Sequence, residues 1–281
     1  MTPELAAVIV NYNAGAELRT ALQSIADEMG GRAWEAVVVD NASSDNSSDE
    51  VAAFAPQARV VRNAVNVGFG RGINQGVSAS TAPLVLIMNP DCRLERGAVA
   101  TMRAELAARQ RCAIVGPRVL DPDGSVQGSA RGDPDMLTGL FGRTGPLRFL
   151  LPSSSLSKRN VVSGGGSATV DWVSGACMLV RRTAFEDVGG FDARYFLYWE
   201  DADLCRRLRT RGHEIRYVPD AIAVHRVGHS SRTARAASIK AFHQSAYLYY
   251  TTHVATGGLN PKRLIARMLL AARCWWKSRS V

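Results

Sequence analysis

Residues 6–13, Ala6-Ala7-Val8-Ile9-Val10-Asn11-Tyr12-Asn13, decide the fold. Five apolar side chains follow one another without alternation, which predicts a strand in a sheet covered on both faces. Leu18, Leu22 and Ile25 then recur at helical spacing, so the first unit reads strand, loop, helix. The unit repeats at residues 36–39, a β-branched run ending in Asp40-Asn41, where Ser43-Ser44-Asp45-Asn46 offers caps for a helix into Val51 and Phe54. A third strand is predicted at 59–62. After it, Asn66-Val67-Gly68-Phe69-Gly70-Arg71-Gly72 enters a helix through Ile73 and Val77, and a fourth strand at 84–88 ends in Asn89-Pro90-Asp91. Strands alternating with helices predict an α/β domain with a mostly parallel sheet flanked by helices. Ligands of such sheets gather beyond the carboxyl ends of the strands, where Asn11, Asp40 and Asp91 fall.

Farther along, residues 112–118 form another apolar strand, and Asp121-Pro122-Asp123-Gly124 reads as a turn. Residues 128–167 are rich in Gly, Ser and Pro and are expected to form a long loop. Order returns at Val170-Asp171-Trp172-Val173, then through 175–180, a short helix at 183–188 and the turn Gly189-Gly190-Phe191-Asp192. The following stretch, 196–211, sets Glu200, Asp201 and Asp203 behind aromatic residues at a helix start. The helix dipole favours the ionised form there and the aromatic neighbours limit water, which suits a general base. A capped surface helix would carry the same acids. A last strand at 214–218 precedes His225.

Composition narrows the classes. The 281 residues hold five scattered cysteines with no C-x-x-C pair, which argues against a disulfide framework or a zinc knuckle and fits a reducing cytoplasm. Neither an apolar signal region nor an apolar run of roughly 20 residues is present. Residues 221–281 carry ten Lys or Arg and no acid, and the other 220 residues carry 24 basic against 25 acidic side chains, a net of −1. All of the excess basicity belongs to the tail. With no nucleic-acid-binding motif beside it, an anionic membrane surface is the expected partner and nucleic acid is not.

Two motifs bear on chemistry. Gly68-x-Gly70-x-Gly72 follows the third strand and lacks the G-x-G-x-x-G spacing, so it is not a dinucleotide fingerprint. It reads either as a loop approaching phosphate, with Arg71 as charge partner, or as a flexible helix entry. Asp91 and His225, both at strand ends, could share a divalent cation such as Mg2+ or Mn2+ with diphosphate oxygens. A histidine placed there for hydrogen bonding alone would look alike.

Taken in order, Val8-Ile9-Val10-Asn11-Tyr12-Asn13, Val39-Asp40-Asn41-Ala42-Ser43-Ser44-Asp45, Asn66-Val67-Gly68-Phe69-Gly70, Asn89-Pro90-Asp91, Gly189-Gly190-Phe191-Asp192, Trp199-Glu200-Asp201-Ala202-Asp203-Leu204 and His225 carry a resemblance. The chain resembles the family 2 inverting glycosyltransferases of GT-A fold, in particular the bacterial rhamnosyltransferase and galactofuranosyltransferase branch. The resemblance spans about residues 5–232 and implies a catalytic domain at 1–232 with a basic helical extension at 233–281. It implies that Asp40 contacts a pyrimidine base and that Asn11, Asn66, Gly68, Arg71 and Asn89 lie against the nucleotide sugar. Asp91 stands at the last acid of the family's metal-binding D-x-D, with Asn89 in place of the first, and His225 at a metal-contacting histidine. Asp201 stands at the catalytic base, Trp172, Trp199 and Glu200 line the acceptor side, and His229 and Arg232 approach the diphosphate.

The function so implied is a single displacement that moves L-rhamnose from its deoxythymidine diphosphate carrier onto a polyprenyl-diphosphate-linked glycan in cell-envelope assembly. Alternatives are a galactofuranose or hexose donor carried by uridine diphosphate, and a catalytically silent carbohydrate-binding protein on the same fold. A nucleotidyltransferase would share the strand-end acids but gives no reason for Trp199-Glu200-Asp201.

The tail bears on where the acceptor lives. From Asn260 as N-cap and Pro261, residues 262–278 place Leu264, Ile265, Met268, Leu269, Ala272, Trp275 and Trp276 on one arc and Lys262, Arg263, Arg267, Arg273 and Lys277 on the other, with Leu270 the exception. Such a helix is expected either to lie in a membrane interface or to pack on the catalytic domain or a second subunit, as in a homo-oligomer. The interfacial reading places the protein peripherally on the inner face of the plasma membrane.

Overall fold

In the computed structural model, which describes residues 2–49, 51, 55, 58–133, 166–226, 235–258 and 260–279, strand β1 (Leu5–Asn11) is buried along its whole length. It pairs in parallel with β2 (Trp34–Asp40) on one side and β4 (Leu84–Met88) on the other, and β3 (Ala58–Arg62) adds in parallel outside β2. Beyond β4, β10 (Cys177–Arg181) runs antiparallel between β4 and β6 (Cys112–Leu120). The long β11 (Glu214–His225) is parallel to β6 and carries β5 (Cys92–Leu94) and β8 (Ala168–Val170) antiparallel along its length. Among the described residues this sheet has the order β3-β2-β1-β4-β10-β6-β11-β5, and β1–β4, β6 and β11 share one direction. The sheet is mostly parallel, as predicted. The reversal at β10 could not be predicted, because a buried run such as Cys177-Met178-Leu179-Val180 has the same pattern in either direction.

The unbroken apolar run of β1 feeds two cores. Leu5, Ala7 and Ile9 pack with Leu18, Leu22 and Ile25 of α1 (Glu17–Met29) and Met102 of α3 (Ala98–Ala108). Val8 and Val10 face Ile73 and Val77 of α2 (Phe69–Ser78), in the layer completed by Phe185 of α4 (Arg182–Asp187) and Leu204 and Leu208 of α5 (Glu200–Thr210). Each such side chain, fully buried, is stabilising by about 1.5–3 kcal/mol. The glycines of α2 belong to this packing. A Cβ on Gly72 would sit 2.8 Å from Val10 Cγ2, and one on Gly76 would run into Val8 Cγ1. They let the helix close on the sheet, so their spacing answers to strand contact.

Three sequence expectations need adjustment. Residues 130–131 do not belong to a loop: β7 (Ala130–Arg131) pairs with β9 (Trp172–Val173), a ladder too short to leave a periodic signal. Of the expected loop at 128–167, residues 134–165 lie outside the described residues, as do residues 50 and 52–54 of the helix expected into Phe54, whose entry at 47–49 is a turn. The last strand, predicted to stop at 218, continues through a register shift between Val218 and Ile222 and delivers His225. Pro219 accounts for the early stop, since it cannot donate to the ladder.

The last two helices stack on this body. α6 (Arg235–His253) is tied to α5: His253 Nε2 lies 2.6 Å from Asp203 Oδ1, and Arg206 donates to the His253 carbonyl at 3.0 Å. Asn260 Oδ1 accepts the Lys262 N–H at 3.1 Å, capping α7 (Pro261–Arg279) as predicted. The orientation of α7 is less expected. Its inward, half-buried stripe is Arg263, Ala266, Leu270, Arg273, Cys274 and Lys277, with Arg263 donating to the carbonyls of Ala255 and Thr251 at 2.8 Å each. Leu264 (62% exposed), Met268 (56%) and Trp275 (58%) point away, so the apolar arc does not pack on the catalytic domain. Among the described residues no helix is long and apolar enough to cross a membrane.

Candidate active site

The β-strand edge chosen by sequence gathers most of the expected residues. Because β5 runs antiparallel to β11 with Cys92 opposite His225, Asp91 is set beside the imidazole: His225 Nε2 lies 3.2 Å from Asp91 Oδ1 and 3.2 Å from Asn89 Nδ2. The other ring nitrogen, Nδ1, is 3.1 Å from Gln127 Oε1. Gln127 Nε2 meanwhile donates to the His225 carbonyl and to Asp121 Oδ1, each at 2.8 Å. That orientation turns the amide oxygen to Nδ1, so Nδ1 carries the proton and Nε2 faces the carboxylate. Asn89 Nδ2 donates to that Nε2 lone pair, and a ring nitrogen and a carboxylate oxygen this close can share a cation. Among the described residues no cluster of three or more His, Cys, Asp or Glu could hold a metal by itself. Asp91 and His225 would therefore supply part of a divalent ion's ligands, the rest having to come from a bound ligand.

Two cavities meet at this point. The first, of about 250 Å³, is lined by Tyr12, Asn41, Asn66, Gly68 and Asp91; the second, of about 400 Å³, by Arg131, Trp172, Glu200, Asp201 and Arg273. Phe69, Asn89, Leu197, Tyr198 and His225 line both. The shared wall depends on an unusual backbone, with Tyr198 and Trp199 at φ 67° and 71°. Two consecutive bulky residues in the left-handed region cost on the order of 1–3 kcal/mol each. Offsetting contacts surround them: the Trp199 ring lies 5.8 Å from Phe242 and 5.3 Å from Tyr249, and Phe69 N–H donates to the Phe196 carbonyl at 2.9 Å. The strain turns the first residues of α5 into the second cavity.

The three acids at that helix start have different environments. Asp203 is fully buried and engaged by His253 and by Arg207, 2.7 Å away, so it fastens α5 and reaches neither cavity. Asp201 is half-buried and accepts the N–H groups of Gly175 (3.0 Å) and Ala202 (2.8 Å). Burial pushes its pKa up, opposed by those two N–H groups and by the charge of Arg131. Glu200, only 4% exposed, is pushed up to about 8, first by burial and then by the charge of Asp201. Near neutrality Glu200 therefore carries a proton. Trp199 Nε1 and Glu200 Oε2 are buried without a hydrogen-bond partner among the described residues.

The proton on Glu200 has a consequence for stability. Folding raises its pKa from 4.5 to about 8, so the folded state binds the proton more tightly. The contribution is complete below pH 4.5 and is lost as pH rises through 8. Glu200→Gln should flatten the fall of Tm across that interval in thermal unfolding, and an unaltered slope would mean that the proton resides elsewhere.

Other expected residues are placed differently. Asn11 is fully buried, donating to Asp40 Oδ2 at 3.0 Å and Ser47 Oγ at 2.8 Å. Burial alone would raise the pKa of Asp40, but hydrogen bonds from the Ser43 backbone, Ser48 and Asn11 outweigh it and hold the carboxyl below its ordinary range. Neither lines a cavity. Their neighbours Tyr12 and Asn41 do, because side chains alternate along an extended chain and the last residue of each strand turns inward. Asn66 is at the first cavity, and its Oδ1 accepts the Gly68 N–H at 2.9 Å. Arg71 is not at either cavity; its Nε donates to the Ala193 carbonyl at 2.9 Å. Trp172 lines the second cavity, with Nε1 donating to the Gly132 carbonyl at 3.0 Å. His229 and Arg232 lie outside the described residues. Sequence reasoning missed Gln127, Arg131, Gly175 and Phe242 at the site, and it placed Arg273 only on a basic arc.

Comparison with known proteins gives a consistent picture. Residues 6–189 match the description Glycosyl transferase family 2, and residues 149–277 match Glycosyl transferase family group 2. The chain is 32% identical to the N-acetylglucosaminyl-diphospho-decaprenol L-rhamnosyltransferase of Mycobacterium tuberculosis, across 97% of this chain and 92% of that relative. The rhamnosyltransferase WbbL of Escherichia coli K12 is 48% identical over 64 residues, 23% of this chain and 24% of that one. In fold, the chain resembles the mannosyltransferase PcManGT from Pyrobaculum calidifontis in complex with GDP-Man and Mn2+, with a TM-score of 0.60 at 16% identity, covering 99% of this chain and 73% of that one.

Proposed function

The chain belongs to glycosyl transferase family 2, and from that premise we propose that it transfers L-rhamnose from a deoxythymidine diphosphate carrier to a polyprenyl-diphosphate-linked glycan, with inversion at the anomeric carbon. The observation that carries the reading is the pair of adjoining cavities, with Asp91 and His225 at the junction and Asp201 on the far side. The mycobacterial relative, which is named as a decaprenol-linked L-rhamnosyltransferase, supports the choice of sugar and acceptor.

In this scheme the nucleotide lies along Tyr12, Asn41 and Asn66, and its diphosphate reaches Asp91 and His225. A Mg2+ or Mn2+ ion held by those two side chains supplies positive charge to the leaving diphosphate when bound. The acceptor enters the second cavity along Trp172 and Trp199, where its hydroxyls complete Trp199 Nε1 and the Glu200 carboxyl. Asp201 takes the proton from the attacking hydroxyl, and the oxygen bonds to the anomeric carbon from the face opposite the diphosphate. The sugar–diphosphate bond breaks and its electron pair leaves with the nucleotide. Gly175 N–H, Ala202 N–H and Arg131 orient the carboxylate for this step. A transfer screen over deoxythymidine, uridine and guanosine diphosphate sugars, with the product's configuration read by NMR, tests the reading. Transfer from the rhamnose donor with inversion is expected; preference for a uridine diphosphate galactofuranose or hexose would replace the donor, and retention would overturn the mechanism.

The proposal extends to location. The exposed arc of α7 combines Leu264, Met268, Trp275 and Trp276 with Lys262, Arg267 and Arg279, a combination suited to the interface of an anionic membrane. The protein would then sit peripherally on the inner face of the plasma membrane, beside a membrane-held acceptor. Truncation after Thr256 should abolish flotation with phosphatidylglycerol vesicles; undiminished flotation removes α7 as anchor, and concentration-dependent dimerisation without flotation would assign the arc to a second copy.

A further inference from the structure

The second cavity carries a cation that the proposed chemistry does not use, Arg273, and it comes from the helix whose opposite face is apolar and exposed. Arg273 lies on the inward stripe of α7 with its guanidinium carbon 5.6 Å from the Phe242 ring centroid, and burial lowers its pKa from the ordinary arginine value. A partly desolvated guanidinium gains from an anion arriving in the same space. Arg131, on β7, lines the same space, with its guanidinium carbon 5.4 Å from the Trp172 ring centroid and its Nε donating to the Gly128 carbonyl at 2.6 Å. Two guanidinium groups, each laid on an aromatic ring, thus face one cavity that also contains Asp201.

The positions on α7 fix a direction. At about 100° per residue, Arg273 and Trp275 fall on opposite sides of the helix, one half-buried and the other exposed. A ligand with an apolar tail and an anionic head could lay the tail along the outer face and pass the head inward. We propose that Arg131 and Arg273 form the binding site for the acceptor's diphosphate, so that the spacing from that anchor to Asp201 selects an isoprenyl-diphosphate-linked sugar over a free one. The inference rests on the acceptor class proposed above, and it makes α7 a part of the acceptor site as well as a membrane contact.

The test is a fluorescence titration of the full chain with farnesyl diphosphate, farnesyl monophosphate and farnesol, read through tryptophan emission. The wild type should bind the diphosphate tightest. Arg273→Gln and Arg131→Gln should each weaken farnesyl diphosphate binding at least about tenfold and leave farnesol unchanged, and Arg273→Lys should retain an intermediate affinity. Arg109→Gln, at the exposed end of α3 and away from both cavities, controls for diffuse charge and should bind as wild type. Wild-type indifference to the diphosphate, unaltered affinity in both Gln variants, equal loss of farnesol, or the same loss in Arg109→Gln overturns the proposal. Displacement of farnesyl diphosphate by deoxythymidine diphosphate also overturns it, by assigning the two arginines to the donor. Because no sugar transfer is needed for the readout, a chain that binds farnesyl diphosphate through these arginines yet transfers no sugar would refute the function and keep the site.

Discussion

Replacing Asp201 with asparagine is expected to lower kcat by about 10²–10⁴-fold, the usual worth of a positioned general base, while donor affinity stays near that of wild type. The amide has the same size and can still accept one of the two N–H groups that Asp201 receives from Gly175 and Ala202, but it cannot take a proton. Donor binding should survive because Asp201 lines only the second cavity. Steady-state transfer kinetics with calorimetry of deoxythymidine diphosphate binding separates the two effects. Turnover near that of wild type would transfer the role to Glu200. Glu200→Gln offers the contrast: with Glu200 pushed up to about 8, a neutral amide resembles its state near pH 7, so its loss in kcat should be much smaller than that of Asp201→Asn.

Asp91→Ala should reduce metal-dependent donor affinity by at least about tenfold, since even partners one step removed from a metal ligand cost 10–100-fold in metal affinity. The carboxylate lies 3.2 Å from His225 Nε2, the other group at the junction suited to a cation among the described residues. Calorimetry with Mn2+ and with chelator is the check: the variant should lose the difference between the two conditions, and a difference as large as that of wild type would remove Asp91 from the metal. Gln127→Ala should have a smaller effect in the same direction, because Gln127 holds the ring of His225 through Nδ1 and the backbone carbonyl.

Much of the site could be read from strand ends. Asn89, Asp91 and His225 were expected at one edge and meet within 3.2 Å, because that edge is where the carboxyl ends of parallel strands must lie. Asn11 and Asp40, expected against the nucleotide, are hydrogen-bonded to each other, while their neighbours Tyr12 and Asn41 line the first cavity. Strand patterning alone cannot say which of two polar neighbours faces a cavity. Arg71 and the glycines around it looked like phosphate chemistry; close approach to Phe196, Phe191 and Val10 explains Gly68, Gly70 and Gly72 in turn, constraints that belong to segments distant in the chain.

Fold class and the edge at which Asp91 and His225 meet are local matters, written in runs of apolar residues and in what ends each run. Long-range packing settled the rest. The direction of β10, the entry of Arg131 and Gln127 into the site, and the inward turn of Arg273 depend on contacts between segments distant in the chain, which leave no period in any one of them. The face of α7 is the clearest case: its pattern gives two arcs, and only docking against α6 determines that the arginine stripe turns in and the tryptophans turn out.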